Sequence, residues 1–325
     1  MTNTQGPGQM QDSSVNSGVQ KKLLLAASTG GHLTQLVRLA PLLGASDDSL
    51  WVTFKTPQSE SLLAGRRVLY VPYVRPRDYR GVGTAMRMIW NALRVERFDG
   101  AVSTGAAVAL AALPLARLMG VPALYIESVS RVRGPSLSGQ ILARLRIISM
   151  RTQHPSWANS QWRVQKSVFT TYERRERPTV ENPSLFVTLG TIEGYGFDSL
   201  IDGILRTGLA DERTVWQLGS TVARRPLPGR VFDQVSSAEF DAFARGADVV
   251  VSHAGVGSLL GLLDMGIYPV LAPRRKSRGE HVDDHQAQIA GHAAKLGIAD
   301  VTEVDALTRD GLVRASGFTI AGGAT

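Results

Sequence analysis

The residues with the clearest chemical meaning lie between Val249 and Gln286, in VVVSHAGVGSLLGLLDMGIYPVLAPRRKSRGEHVDDHQ. Three valines form an apolar strand that stops at Ser252 and His253, and Gly255 and Gly257 then open a helical pattern near Ser258. Glycines let the backbone come close to a ligand, and the unpaired N–H groups at a helix start favour phosphate oxygens. The chemistry expected is capture of a diphosphate. A second strand, Tyr268 to Ala272, follows about one helix length later and ends at Pro273. Residues 274–286 are therefore a loop beyond the same sheet edge, where open parallel sheets bind ligands.

Two further turns of this kind lie in the first half. Leu23 to Ala27 is an apolar strand ended by Ser28, Thr29, Gly30, Gly31 and His32, after which Leu33, Leu36, Val37, Leu39 and Ala40 keep helical spacing. A strand ending at Val102 leads to Ser103, Thr104 and Gly105 and then a helix, Ala106 to Met119. The stretch from Ala101 to Ile126 is apolar enough to suggest a membrane span, but Arg117, Pro114 and Pro122 break it, so it reads as strand, helix, strand. Glu127 then falls at a strand's carboxyl end.

These motifs carry a resemblance. SHAGVGS followed by PRRKSRGEHVDDHQ resembles the donor half of the family 28 glycosyltransferases, nearest to the catalytic subunit of the two-subunit dolichol-pathway transferase and its bacterial exopolysaccharide and capsule relatives. STGGHLTQL, STGAAVALAALPLARLMGVP and YIESVSRVRGPSLSGQIL resemble the membrane-associated partner subunit, so the chain looks like both subunits fused, partner half first, over residues 21–300. The resemblance implies an α/β fold of two Rossmann-like domains facing a cleft, the GT-B arrangement, with an acceptor domain at 21–170 and a UDP-sugar donor domain at 184–318. It implies that His253, Ala254, Gly255, Gly257 and Ser258 hold the UDP diphosphate, that Asp284, His285 and Gln286 bind sugar hydroxyls, and that Gly190 and Thr191 lie near the donor. No cofactor is implied beyond the UDP-sugar itself, and no metal.

Glycosyl transfer needs a base for the acceptor hydroxyl and positive charge or N–H donors for the leaving diphosphate. His32, which titrates near neutrality, is the first candidate base; the other reading is that it orients its loop or binds acceptor phosphate. Glu127 is the rival, since a carboxylate in an apolar cleft has a raised pKa; its alternative is a fixed ion pair with Arg131 or Arg133. Gly30, Gly31, Thr104, Gly105 and Arg131 are the expected acceptor or phosphate contacts. Arg274, Arg275 and Lys276 either neutralise phosphate charge or form a solvated run. Relatives often carry a glutamate three residues after the serine, for the ribose hydroxyls. Gly261 stands there instead, and Asp264, one turn on, is either its substitute or a plain capping aspartate.

Composition bounds the rest. The chain has 325 residues, 43% hydrophobic, enough for two cores, and no cysteine, which excludes disulfides and thiolate metal sites. A G-x-G-x-x-G fingerprint is absent, and neither the His281 and His285 pair nor the paired aspartates at 47–48 and 283–284 has the setting of a metal site. Through Pro183 there are 23 basic and 11 acidic residues, a net +12, against 13 and 17, a net −4, in the remainder. The basic half favours an anionic partner.

Residues 84–98 place Met86, Ile89, Trp90 and Leu93 beside Arg87, Arg94 and Arg97, which reads either as a helix lying on an anionic membrane or as a core helix with solvated arginines. Residues 1–20 read as a disordered tail, 171–183 as a charged linker and 319–325 as a second tail. The expected function is inverting transfer of a sugar from UDP to a polyprenyl-diphosphate-linked saccharide in exopolysaccharide or capsule assembly, peripherally at the cytoplasmic membrane face. Other exopolysaccharide assembly proteins are further partners in this reading, and nucleic acid is not. The alternatives are a UDP-sugar 2-epimerase of the same layout and a non-catalytic polyanion-binding scaffold.

Overall fold

The computed structural model describes residues 20–73, 79–190, 194–281 and 284–322. The first half is a seven-stranded parallel sheet of β1 (Leu23–Ala27), β2 (Leu50–Phe54), β3 (Arg67–Val71), β4 (Gly100–Gly105), β5 (Ala123–Ile126), β6 (Ser149–Thr152) and β7 (Trp162–Val164). Five of its crossovers carry an α-helix: α1 (Gly31–Leu42), α2 (Pro57–Leu62), α3 (Tyr79–Val95), α4 (Ala107–Leu118) and α5 (Leu137–Leu145). The spatial order is 3-2-1-4-5-6-7. Winding therefore reverses between β1 and β4, and the crevice outside their carboxyl ends is where such sheets bind ligands.

After the edge strand β8 (Tyr172–Glu176), the second half repeats the plan. Strands β9 (Leu185–Thr188), β10 (Val215–Gln217), β11 (Arg230–Phe232), β12 (Val249–His253), β13 (Val270–Ala272) and β14 (Asp300–Val301) form a parallel sheet in the order 11-10-9-12-13-14, with reversal between β9 and β12. Helices α6 (Asp198–Arg206), α7 (Ser237–Gly246), α8 (Val256–Asp264), α9 (His285–Lys295) and α10 (Arg309–Ala315) lie between these strands or follow them, and strand β15 (Phe318–Gly322) closes the described chain. Both sheets are buried on both faces, which is why β1, β2, β9 and β12 read as continuous apolar runs and not as alternating ones.

Each half has its own apolar core, and one further cluster spans the two. Leu33, Leu36 and Leu39 of α1 join Leu259, Leu260 and Leu263 of α8 in a single apolar cluster that also takes in Tyr172 and Ile320. The expected boundaries need correction here. Residues 172–176, expected as linker, are a strand, and 319–322, expected as tail, are its antiparallel partner, with Thr319 opposite Arg175 and Ile320 opposite Arg174. The first, Tyr-Glu-Arg-Arg-Glu, is charged and mostly exposed, and the second, Phe-Thr-Ile-Ala-Gly, is short and ends in glycine, so neither shows in the sequence. Residues 1–19 and 323–325 lie outside the described residues.

Helix α3 is also corrected. Ile89 and Leu93 are buried against β2, β4 and α4, while Trp90 is 42% exposed. Its apolar face is a core face. No helix among the described residues is long and apolar enough to cross a membrane, and the 101–126 stretch is strand, helix, strand as its prolines require.

Candidate active site

The two switch points face each other. The amino ends of α1 and α8 meet head to head: a Cβ on Gly31 would lie 3.3 Å from the Val256 Cβ, and one on Gly257 would lie 3.7 Å from the Gly31 nitrogen. Glycine at both places allows this approach. Neither helix has a side-chain cap, so their first-turn N–H groups are left to a ligand or water. Three are taken: the Gly30 N–H donates to Gln58 Oε1 at 2.7 Å, the Leu33 N–H to the Ser28 carbonyl at 3.1 Å and the Gly255 N–H to the His253 carbonyl at 2.9 Å.

Around this contact is a cavity of about 690 Å³, within the usual range for a small-molecule site. Gly30, Gly31, His32, Ser128 and Ser130 line it from the first half; Thr188, Gly190, His253, Gly255, Gly257 and Ser258 line it from the second. An outer lobe is formed by Val235, Phe240, Asp241, Gly261 and Met265.

His32 is held in one tautomer. Its Nδ1 lies 2.7 Å from the Thr104 carbonyl oxygen, which can only accept, so Nδ1 carries the proton and Nε2 keeps its lone pair. The Thr104 hydroxyl returns a bond to the His32 carbonyl at 2.8 Å. Burial, opposed by the Thr104 carbonyl and helped by the Arg131 charge, lowers the imidazole pKa from its ordinary 6.5. At neutral pH the ring is an uncharged base. Gly105 makes this possible: at φ +120° a Cβ there would come within 2.9 Å of the His32 ring.

His253 is built differently. Its ring packs against Gly190 and Gly255, and a Cβ on Gly190 would lie 2.8 Å from the ring. Burial, then the Arg274 charge, pushes its pKa down to about 4. It is a neutral, fixed wall between two glycine turns.

Glu127 does not line the cavity. Its carboxylate accepts from Tyr125 Oη (3.1 Å), Ser128 N (3.1 Å), Ser136 N (2.8 Å) and Ser136 Oγ (3.0 Å), and it is fully buried. Burial raises its pKa against those bonds. Both oxygens are engaged in folding the 127–136 loop, so the rival-base reading is replaced by a structural one, and the expected pairing with Arg131 or Arg133 gives way to serine and tyrosine partners.

The basic loop is corrected as well. Arg274 is wholly buried, donating to Leu189 O (2.6 Å) and Tyr195 O (3.1 Å) over the Phe197 ring, and burial lowers its pKa to about 10. It remains charged, and it braces the loop after β9. Arg275 pairs with Glu303, while Lys276 is exposed and its backbone N–H donates to Asp284. Gln286 Oε1 accepts from the Arg274 N–H at 3.1 Å. Asp284 and Gln286 thus hold the 274–276 backbone, and none of these residues lines the cavity.

Asp264 faces away from the cavity. It pairs with Arg38 of α1 and accepts from the Tyr172 hydroxyl, clasping the two halves, so it does not replace the missing glutamate. Arg131 also crosses the cleft, to His285 at the start of α9. Thr191 and Asp283 lie outside the described residues, and among those described no three His, Asp or Glu side chains group as metal ligands.

Several lining residues were not anticipated. Gln35 is buried; its amide donates to Ser128 Oγ at 3.0 Å and its Oε1 accepts from Val129 N at 2.8 Å, fixing the loop to α1. A glutamine inside the apolar run Leu33 to Ala40 was the available signal. Asp241 and Phe240 carried none, because only the tertiary fold turns α7 toward α8.

Residues 232–310 match the model of the glycosyltransferase family 28 C-terminal domain. The chain is 26% identical over 331 residues, 93% of itself and 90% of the relative, to the UDP-N-acetylglucosamine–N-acetylmuramyl-(pentapeptide) pyrophosphoryl-undecaprenol N-acetylglucosamine transferase of Synechococcus sp. strain CC9311. It is 27% identical to the enzyme of the same name from Prochlorococcus marinus strain MIT 9303, over 86% of this chain and 81% of that one. Among solved structures, Acinetobacter baumannii MurG superposes with a TM-score of 0.55 at 18% identity over 90% of this chain and 89% of that one. The glycosyltransferase SnogD of Streptomyces nogalater gives 0.56 at 20%, over 91% and 93%. The two facing switch-point sites sit on the two-domain frame of these GT-B structures, and residues 232–310 carry the match to the glycosyltransferase family 28 C-terminal domain.

Proposed function

We propose that the protein transfers a sugar from a UDP-sugar to a hydroxyl of a polyprenyl-diphosphate-linked saccharide, with inversion at the anomeric carbon. The observation that carries this reading is the His32 tautomer: a neutral imidazole, its Nδ1 tied to Thr104, on the wall of a cavity where two uncapped helix starts meet. Nε2 takes the acceptor proton as the hydroxyl oxygen attacks; the glycosidic bond forms, the bond to the UDP oxygen breaks, and the departing diphosphate keeps that electron pair. The amides at the start of α8 and the Gly255 and Gly257 turn receive its charge. One direct displacement with one base inverts the centre. The lobe formed by Val235, Phe240, Asp241 and Met265 offers apolar faces for the uracil and a carboxylate for sugar hydroxyls.

The relatives' names support a lipid-diphosphate acceptor, and they name a muramyl pentapeptide one. The exopolysaccharide or capsule assignment rests on the motif resemblance of the two halves alone. Work at the membrane face, without a spanning helix among the described residues, calls for peripheral attachment. A 2-epimerase reading draws on the fold alone, since a UDP-N-acetylglucosamine 2-epimerase from Listeria monocytogenes superposes at a TM-score of 0.54 and 11% identity.

The test is incubation with radiolabelled UDP-N-acetylglucosamine, UDP-glucose, UDP-galactose and UDP-glucuronate, each with undecaprenyl-diphosphate saccharides. Organic-extractable label with the product anomer inverted supports transfer. Soluble epimer supports the epimerase, and no turnover with any donor overturns both enzymatic readings.

A further inference from the structure

The cavity around the two helix starts has an uneven wall. Among the described residues that line it there is no lysine or arginine, and Asp241 of α7 is the one carboxylate. Other acids nearby are committed. Glu239 on α7 accepts from the Ser236 N–H at 2.8 Å and from the Ser236 hydroxyl at 2.7 Å, and Asp264 on α8 is held by Arg38 and Tyr172. Asp241 is exposed and makes no hydrogen bond or ion pair with any described residue.

The helix that carries it is fixed in place. Ser236 and Glu239 form a capping box at its start, and the Phe240 ring stands edge-on to Phe186, a fully buried residue of β9, with ring centroids 5.2 Å apart. Ser237 and Asp241, four residues apart, share one face of α7, and both line the cavity. On the α8 side of the same lobe is Gly261, where a Cβ would meet nothing within 4 Å. The lobe is therefore open space with one uncommitted carboxylate on a rigid wall.

Position along α8 decides which part of a ligand that carboxylate meets. A diphosphate at the Gly255 and Gly257 turn leaves the transferred sugar on the side of His32, so the nucleoside runs the other way, past Gly261 and Met265, about 6 and 12 Å further down the helix from Gly257. We infer that Asp241 receives the 2′- and 3′-hydroxyls of the donor's ribose, and that this contact makes the protein select a ribonucleotide. A carboxylate only accepts hydrogen bonds, and a vicinal diol offers it two donors. Uracil offers one N–H between two carbonyl oxygens, which a carboxylate repels. The same negative charge disfavours phosphate in this lobe and so keeps the diphosphate at the start of α8. The inference rests on the UDP-sugar reading above and names how the nucleoside end of that donor is held.

Calorimetry of the full-length protein with UDP and with 2′,3′-dideoxy-UDP reads the contact without turnover. Wild type should bind UDP about tenfold or more tightly than the dideoxy nucleotide, because a group set to pair with a hydroxyl is left unpaired when the hydroxyl is missing. Asp241→Ala should bring the ratio of the two affinities to within about twofold of one. Loss of the charge shifts both nucleotides alike, so the ratio isolates the diol. The variant should melt as wild type does, since the position is exposed. Equal wild-type affinity for the two nucleotides, or a preference that survives Asp241→Ala as it would if the carboxylate met the base, overturns the assignment while UDP binding stands. Absence of wild-type UDP binding overturns the donor reading beneath it.

Discussion

His32 and Thr104, 72 residues apart in the chain, exchange two hydrogen bonds: imidazole to carbonyl at 2.7 Å and hydroxyl to carbonyl at 2.8 Å. The pair welds the β1 and β4 turns together and leaves the ring with a fixed proton. His32→Ala should therefore lower kcat by about two orders of magnitude or more, the usual loss for a general base, with UDP affinity within about twofold of wild type. Single-turnover rates and calorimetry read the two effects separately. An unchanged kcat would move the base elsewhere.

Gly105→Ala tests the geometry without touching the base. The added methyl would overlap the imidazole at a φ that alanine resists, so the ring must swing. We expect a fall of about ten- to a hundredfold in kcat with UDP binding retained, since small misplacements of a reacting group cost that much. Full activity in this variant would show that the His32 position is not critical.

The pH profile should carry the sign of the His32 shift. Activity needs the neutral ring and is lost as pH falls through its pKa, which lies below 6.5, so the acid limb of kcat/KM should sit below that value and the rate should be flat at neutrality. Arg131→Met removes a cation that disfavours the imidazolium, and the limb should move to higher pH. A limb at or above 6.5 in wild type, or one that moves down in the variant, contradicts the assignment.

On the donor side, His253→Ala and Gly257→Val should each weaken UDP binding about tenfold or more while the fold survives, the first by emptying the wall between Gly190 and Gly255, the second by filling the space where α1 and α8 meet. Calorimetric UDP affinity equal to wild type in both would place the donor elsewhere.

Arg274→Met leaves buried carbonyls of Leu189 and Tyr195 without a donor and should cost on the order of 2–4 kcal/mol in chemical unfolding. Lys276→Ala, at an exposed position, should change stability by about 0.5 kcal/mol or less. Equal effects would show that Arg274 does not brace its loop.

Much of this architecture is written locally. Leu23–Ala27, Leu50–Phe54 and Ala123–Ile126 are apolar runs ended by glycine, serine or a charged residue, and their bounds in the fold coincide with those runs. The turns at Gly30, Gly105 and Gly255 are equally local, because a glycine after a strand has few other uses. What the sequence hides is non-local pairing. Asp264 meets Arg38 from 226 residues away, and Arg274 finds Leu189 across 85, so a helix carboxylate and a loop cation whose ligand role the sequence leaves open are each satisfied by the protein. β8 was hidden for the same reason, since its partner is 142 positions distant at Phe318 and Glu176.

The head-to-head contact of α1 and α8 also has a cost for the turnover cycle. Both helices present the positive ends of their dipoles to one small volume, and with no side-chain cap on either, like partial charges confront each other whenever that volume holds only water. A bound polyanion is the counter-charge that reconciles them. UDP, which bears more negative charge once the sugar has left, is then a better mediator than the UDP-sugar that entered, so the two halves should grip the spent nucleotide most firmly. Its escape should be held back by that grip, and high salt should speed the release of UDP by loosening it.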